Sequence, residues 1–227
     1  FCTIEPNIGI VEVPDARMQA LADIVKPQRM QYATTEFVDI AGLVAGASKG
    51  EGLGNQFLAN IRETDGIVNV VRCFEDDNVV HVAGKVDPIS DIATIVTELA
   101  LADLTTVEKA QERNVKLVRS GDKDAAKLGE LLVQVAACLN EGKPARTLKL
   151  DPAQRALLKP LCLLTMKPVM YVANVAEKGF ANNPLLTRVE EYAAHEGAPV
   201  VAICAALESE IAVLSDEEKR EFLADIG

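Results

Sequence analysis

The sequence predicts an α/β protein in which a mostly parallel, Rossmann-like sheet is interrupted by an inserted α-helical hairpin. Three observations predict it. Apolar runs of strand type end at Asp39, Cys73, Asn174 and Ile203, with helix-type stretches between them. That alternation favours parallel strands joined by crossover helices. Between the second and third of these runs lie two long stretches with apolar residues at helical spacing, joined by Ser120-Gly121-Asp122. After the first run comes a glycine-rich segment, Asp39 to Leu58, which reads D-I-A-G-L-V-A-G-A-S-K-G-E-G-L-G-N-Q-F-L.

Each element has a local reason. Ile8 to Val13 reads as a strand ended by Pro14. Asp15 can cap a helix to about Val25, with Met18, Leu21, Ala22 and Val25 on one face. Lys26-Pro27 ends that helix. Thr35 to Val38 is a strand entering Asp39, Phe57 to Glu63 is a helix, and Ile67 to Cys73 is a buried strand. Asp87-Pro88 opens a long helix to about Val118, with Ile92, Ile95, Val96, Leu99 and Ala102 recurring on it. A second helix, Asp124 to Leu139, carries Leu128, Leu131, Leu132, Val135, Cys138 and Leu139 on one stripe. The two bury their stripes on each other as an antiparallel hairpin. Asp151-Pro152 caps a third helix to about Leu164, which Pro160 ends or kinks. Val169 to Ala173 resumes the sheet, ending at Asn174. Asn183-Pro184 starts a helix and Gly197 stops it. Pro199 to Ile203 is the last strand, and Ser215 to Glu218 opens a final helix with capping-box spacing. The expected division is residues 1–87 with 166–227 as the α/β domain, incomplete at its N-terminus, and 88–165 as the helical, coiled-coil-like insertion.

Composition bounds the function. The net charge of −11 argues against unspecific binding to DNA or to an anionic membrane. No apolar run reaches the length of a membrane span, and no signal-peptide pattern is present. The five cysteines are odd in number and widely spaced, without a C-x-x-C pair. They read as thiols of a reducing cytoplasm. With two histidines, His81 and His195, a Cys/His zinc site has little support.

The glycine-rich segment carries the chemistry. Asp39, at the end of a strand, can hold a metal-bound water, and Gly42 lets its backbone N–H approach a terminal phosphate. Glycines at 46, 50, 52 and 54 allow the loop to order around a ligand and relax without it. The whole string resembles the second switch of the Obg-related P-loop NTPases, D-x-x-G-L-[IV]-x-G-A-x-x-G-x-G-L-G-x-x-F-L. Ala41 and the spelling G-A-S-K-G-E-G-L-G-N-Q-F-L are similar to the YchF branch, the Obg-like ATPases. In that pattern F-C-T-I-E-P-N at Phe1 to Asn7 is the first switch, and Thr3 would reach the magnesium.

A second motif, Asn174-Val175-Ala176-Glu177, follows a strand at its carboxyl end, where such sheets bind ligands. Guanine-specific relatives carry N-K-x-D there. Here Val175 replaces the Lys, and Glu177, one methylene longer, replaces the Asp. Adenine lacks the N1–H and 2-amino donors of guanine and offers a 6-amino donor with ring-nitrogen acceptors, which an Asn can match. ATP is therefore expected over GTP, and the resemblance agrees. Cys204-Ala205-Ala206 is similar to the family's second base-contact loop.

The resemblance implies an ATPase that forms ADP and phosphate with magnesium, with potassium a further candidate cation. It implies association with the ribosome or a ribosomal subunit and a regulatory role. The sequence contains no G-x-x-x-x-G-K-[ST]. The resemblance places that loop before Phe1 and a TGS domain after Gly227, and activity of this chain alone is not expected. Where Ras-like enzymes place a water-orienting Gln, Leu43 stands, so the catalytic group is unknown. Arg62, Glu63 and His81 are candidates by polarity alone. Two rivals stay open: a GTP-hydrolysing Obg-type switch, and a non-catalytic interaction module using the hairpin.

Overall fold

The computed structural model describes residues 7–40, 53–76, 79 and 84–226. The chain opens with β1 (Asn7–Glu12), α1 (Ala16–Val25) and β2 (Thr34–Asp39). Asp15 caps α1 by accepting from the Arg17 amide at 2.9 Å, and Lys26 ends it in the left-handed region at φ 48°. β1 and β2 pair antiparallel, with Ile8 opposite Val38 and Asn7 opposite Asp39. This corrects the parallel arrangement expected for a strand–helix–strand unit. The reason is that α1 does not lie across the strands as a crossover helix would. None of its residues is buried, and Leu21 and Val25 on the expected apolar stripe are exposed.

After α2 (Leu53–Glu63) the parallel sheet begins with β3 (Ile67–Arg72). Two helices then form the hairpin, α3 (Pro88–Arg119) and α4 (Lys123–Asn140), followed by the short α5 (Pro152–Leu158). The α/β pattern resumes with β4 (Val169–Asn174), α6 (Pro184–Glu196) and β5 (Val200–Ile203). α7 (Ala205–Ala212) and α8 (Asp216–Ile226) complete the described chain.

β3, β4 and β5 pair in that order, all parallel, with Val70 beside Val172 and Val172 beside Val201. Alternation along the strands then decides which side chains meet the core. Val71, Tyr171 and Ala173 point to one face and are buried with Ile92 and Val96 of α3 and Leu186, Val189 and Ala193 of α6. On the other face Val68, Val70 and Val201 stay exposed, Val70 at 63%.

The hairpin buries its stripe as expected: Val107 of α3 meets Leu131, Leu132, Val135 and Leu139 of α4, with Leu158 and Leu163 closing the end. A polar residue interrupts it. Asn114 is buried and its Nδ2 donates to Ala125 O at 2.7 Å, while its Oδ1 has no partner among the described residues. Gly129 leaves room for it, since a Cβ there would stand 3.1 Å from that Nδ2. Pro160 acts as predicted: α5 stops at Leu158, and Lys159–Leu161 make a 3-10 turn ending at Cys162, φ 47°.

Polar ties hold the helical block together and join it to the rest. Asp103 of α3, fully buried, accepts from the amides of Leu164 and Thr165 at 2.8 and 2.7 Å and from Thr165 Oγ1 at 2.7 Å. Burial pushes its carboxyl above the usual range against those three bonds. Arg62 of α2 donates to Thr106 Oγ1 at 3.2 Å and Cys162 O at 3.3 Å, while Leu58 and Ile61 pack on Leu99, Ala102 and Leu164. Finally, Glu196 at the end of α6 accepts from Arg146 at 2.9 Å, Tyr171 at 2.9 Å and Tyr192 at 3.1 Å. Burial and the neighbouring Glu196 push the Tyr192 hydroxyl up to about 12.

Candidate functional site

The carboxyl ends of β3, β4 and β5 converge on Asn174. Its position follows from strand parity: residues 169, 171 and 173 face the core, so Asn174 turns to the open face. There the amide of Ala205 donates to Asn174 Oδ1 at 3.0 Å. The backbone locks the same point, with Cys73 N donating to Asn174 O at 2.7 Å and Val175 N to Ile203 O at 2.8 Å. Asn174 and Ala205, two predicted base-contact residues 31 positions apart, thus share a hydrogen bond. Asn174 Nδ2 makes no hydrogen bond among the described residues.

The segment that follows is a tight turn. Gly179 N donates to Ala176 O at 2.7 Å, which puts Glu177 and Lys178 at its exposed corner. A Cβ on Gly179 would meet Ala176 O at 3.0 Å, Ala176 N at 3.1 Å and Val175 Cβ at 3.2 Å, so only glycine fits without displacing backbone. Val175 itself is 2% exposed and packs in the core with Ala173 and Tyr171. Its side chain therefore points into the core beneath the turn, with its Cβ close to Gly179. Cys204 is buried and stands as the N-cap of α7, and Ala205 is the first residue of that helix and not part of a loop. This corrects the loop expected at Cys204-Ala205-Ala206. Small side chains after an extended run suit a loop, but they suit a helix start equally.

Two further residues brace the site. Asn183 caps α6 through its Oδ1, accepting from Leu185 and Leu186. Its Nδ2 donates to Cys73 O at 2.9 Å and Gly179 O at 3.0 Å, pinning the turn to the end of β3. The cap was legible in Asn-Pro; the pin was not. Arg72, beside Asn174 in register, donates to Phe74 O at 3.0 Å, Val79 O at 2.9 Å and Asp76 O at 3.3 Å. It also lies over the Phe74 ring at 4.6 Å. An arginine ending an apolar strand is the signal that would have drawn attention to it.

Asp39 ends β2, exposed and without a side-chain partner among the described residues. A carboxylate of that kind suits a hard cation held through water. Thr3, Gly42, Leu43 and His81 lie outside the described residues. Among those described, no cluster of three His, Cys, Asp or Glu side chains is placed to hold a metal, and no helix is long and apolar enough to cross a membrane. Of the polar residues considered for water positioning, Arg62 is committed to Thr106 and Cys162.

Known proteins match this arrangement. Residues 1–109 match the family described as 50S ribosome-binding GTPase. The ribosome-binding ATPase YchF of Haemophilus influenzae is 60% identical over 227 residues, all of this chain and 62% of that protein. The protein of the same name from Bacillus subtilis is 52% identical over 230 aligned residues, all of this chain and 63% of its own length. The solved structure of the Schizosaccharomyces pombe YchF GTPase superposes with a TM-score of 0.83 at 33% identity, covering 99% of this chain and 62% of that one. The chain therefore spans less than two thirds of the length of these relatives.

Proposed function

This chain belongs to the YchF branch of the Obg-like P-loop NTPases, with their α/β fold, and on that premise we propose that it is part of a magnesium-dependent ATPase that associates with the ribosome. The complete protein hydrolyses ATP to ADP and phosphate in the cytoplasm. Residues 1–87 and 166–227 form the nucleotide-binding domain and 88–165 the inserted helical one. Magnesium, when bound, neutralises charge developing on the phosphates. Thr3 and Asp39 would hold it, and the Gly42 amide would meet the terminal phosphate. Potassium is a further cation for the same phosphates.

The observation that carries the reading is the bond from Ala205 N to Asn174 Oδ1. It joins the two segments that would flank a base and leaves Asn174 Nδ2 to donate. Adenine and guanine both present N7 as an acceptor, so that donor fixes a purine without choosing between them. The choice falls to the exposed turn. A guanine would need a carboxylate set to receive two donors, and Glu177 is a methylene too long for the place an Asp takes. Val175, packed inward, supports the turn and leaves the base uncovered on that side. Cys204 and Ala205 bring backbone close to the base.

The relatives' own names divide between ATPase and GTPase, so both nucleotides belong in the test. Magnesium-ATP and magnesium-GTP are titrated calorimetrically into this chain and into a form extended upstream. The extended form should bind ATP more tightly than GTP, and Asn174→Ala should weaken both. A GTP preference would overturn the adenine assignment. Absence of binding by a folded extended form would overturn the nucleotide assignment itself.

A further inference from the structure

We infer that the tip of the α3–α4 hairpin is an RNA-gripping surface, which contacts the phosphate backbone of ribosomal RNA. The inference rests on the ribosome association proposed above and names the part of the chain that makes it.

Charge is segregated along this molecule. Between residues 109 and 127 stand Lys109, Arg113, Lys116, Arg119, Lys123 and Lys127, against Glu112, Asp122 and Asp124, in a chain of net charge −11. All six bases are exposed. The acids near them are partly spent: the Asp122 carboxylate caps α4 by accepting from the Asp124 and Ala125 amides, and Asp124 lies 3.6 Å from Lys127. Lys109, Arg113, Lys116, Arg119 and Lys123 form no ion pair among the described residues.

Helix stability accounts for some of these charges and not for others. Lys116 and Arg119 sit in the last turn of α3, where the helix dipole favours cations. Lys109 and Arg113 stand further back, and as like charges at i and i+4 they repel. Lys123 is the first residue of α4, at the positive end of its dipole, where a cation is disfavoured. Arg113 and Lys123 thus oppose local stability, whereas Lys109 also has Glu112 at i+3. Lys109, Arg113 and Lys116 share one helical stripe, about 10 Å long. It lies opposite Val107 and Asn114, which are buried toward α4. A row of exposed cations, unpaired among the described residues, is the complement of a polyphosphate chain. Exposed Val115 and Leu117 lie on either side of it and can pack against sugar faces.

The test uses the complete protein that contains this chain. Its binding to ribosomes and to protein-free ribosomal RNA is measured across salt concentrations. The triple variant Lys109→Glu/Arg113→Glu/Lys123→Glu is compared with a control, Lys149→Glu/Lys159→Glu/Arg220→Glu, which reverses exposed bases elsewhere. Circular dichroism and nucleotide affinity verify that both variants fold. The tip variant should lose at least about ten-fold in affinity for both probes, and its log–log salt slope should fall by about 2 to 3. The control should bind as the wild type does. Equal ribosome binding by wild type and tip variant would overturn the assignment and leave ribosome association standing. Loss on ribosomes, with no binding of wild type to protein-free RNA, would overturn RNA as the partner in favour of a ribosomal protein. Tip-dependent RNA binding without ribosome binding would uphold the surface and overturn the ribosome reading. Binding to neither probe would overturn both.

Discussion

Glu196, the last residue of α6, receives the guanidinium of Arg146 at 2.9 Å across 50 residues of chain. Both side chains are largely buried, at 10% and 17% exposure. Removing one partner of such a pair strands the other, at a cost of about 3–5 kcal/mol, whereas apolar replacement of both is often near neutral. Arg146→Met and Glu196→Leu should each destabilise by about 3 kcal/mol, and the double variant by less than either. Urea unfolding of the four proteins gives the coupling; simple additivity would show that the pair does not act as a unit.

The same carboxylate gives a pH dependence of known sign. Burial opposes ionisation of Glu196, but Arg146, Tyr171 and Tyr192 outweigh it and hold the carboxyl below its usual range. A depressed carboxyl stabilises the fold fully above the ordinary glutamate value, about 4.3, and loses that contribution as pH falls through the lower folded value. The stability gap between wild type and Glu196→Gln should therefore be widest near neutral pH and should close in stronger acid. A gap that is the same at both ends would show that the charge is not what matters.

Asn183→Ala removes a helix cap, worth about 1 kcal/mol, and leaves Cys73 O and Gly179 O without their donor. Thermal unfolding should show a loss of about 2 kcal/mol. Asn183→Ser can retain part of the cap but cannot reach both carbonyls, so it should recover stability more than nucleotide affinity. Equal recovery of both would separate Asn183 from the turn.

Gly129 sits in the interior of α4, where Ala is favoured by about 1 kcal/mol. A Cβ there meets Asn114 Nδ2 at 3.1 Å. Gly129→Ala should thus gain nothing in the wild type and gain about 1 kcal/mol with Asn114→Ala present. A double-mutant cycle by denaturant unfolding measures this, and equal gains in both backgrounds would remove Asn114 as the cause.

Of the described cysteines, Cys162 is exposed while Cys73, Cys138 and Cys204 are buried. Burial pushes the Cys73 thiol up to about 11, which leaves little thiolate at neutral pH. Timed alkylation with mass-spectrometric mapping should find Cys162 modified well ahead of Cys73, Cys138 and Cys204. Comparable rates at Cys73 would contradict its burial.

Local chemistry was the legible part of the fold. Asp15, Asp87, Asp151 and Asn183 cap the helices they precede, because a short polar side chain can reach the free amides of a first turn; Asp122, read as part of a break, proves to cap α4 in the same way. Pro160 and Gly197 end helices for equally local reasons. What depends on distant partners was not legible. Nothing near Arg146 announces Glu196, and nothing near Asp103 announces Thr165. The pairing sense of β1 and β2 depends on where α1 comes to lie, which its composition does not specify. Val175 is the instructive case. Strand parity carried one residue past β4 puts it with Ala173 in the core, and a period-two count would have shown its side chain turned inward.

α3 is about 48 Å long at 1.5 Å per residue, and its two ends keep different company. Ile92 is fixed against the sheet, Leu99 and Ala102 lie under α2, and Arg119 stands at the free end. Such a member works as a lever with its fulcrum near the sheet. The span from Ile92 to Arg119 is about 40 Å, so a tilt of about 10° displaces the free end by about 7 Å. A tilt of that size would carry the free end farther than the rise of a full helical turn.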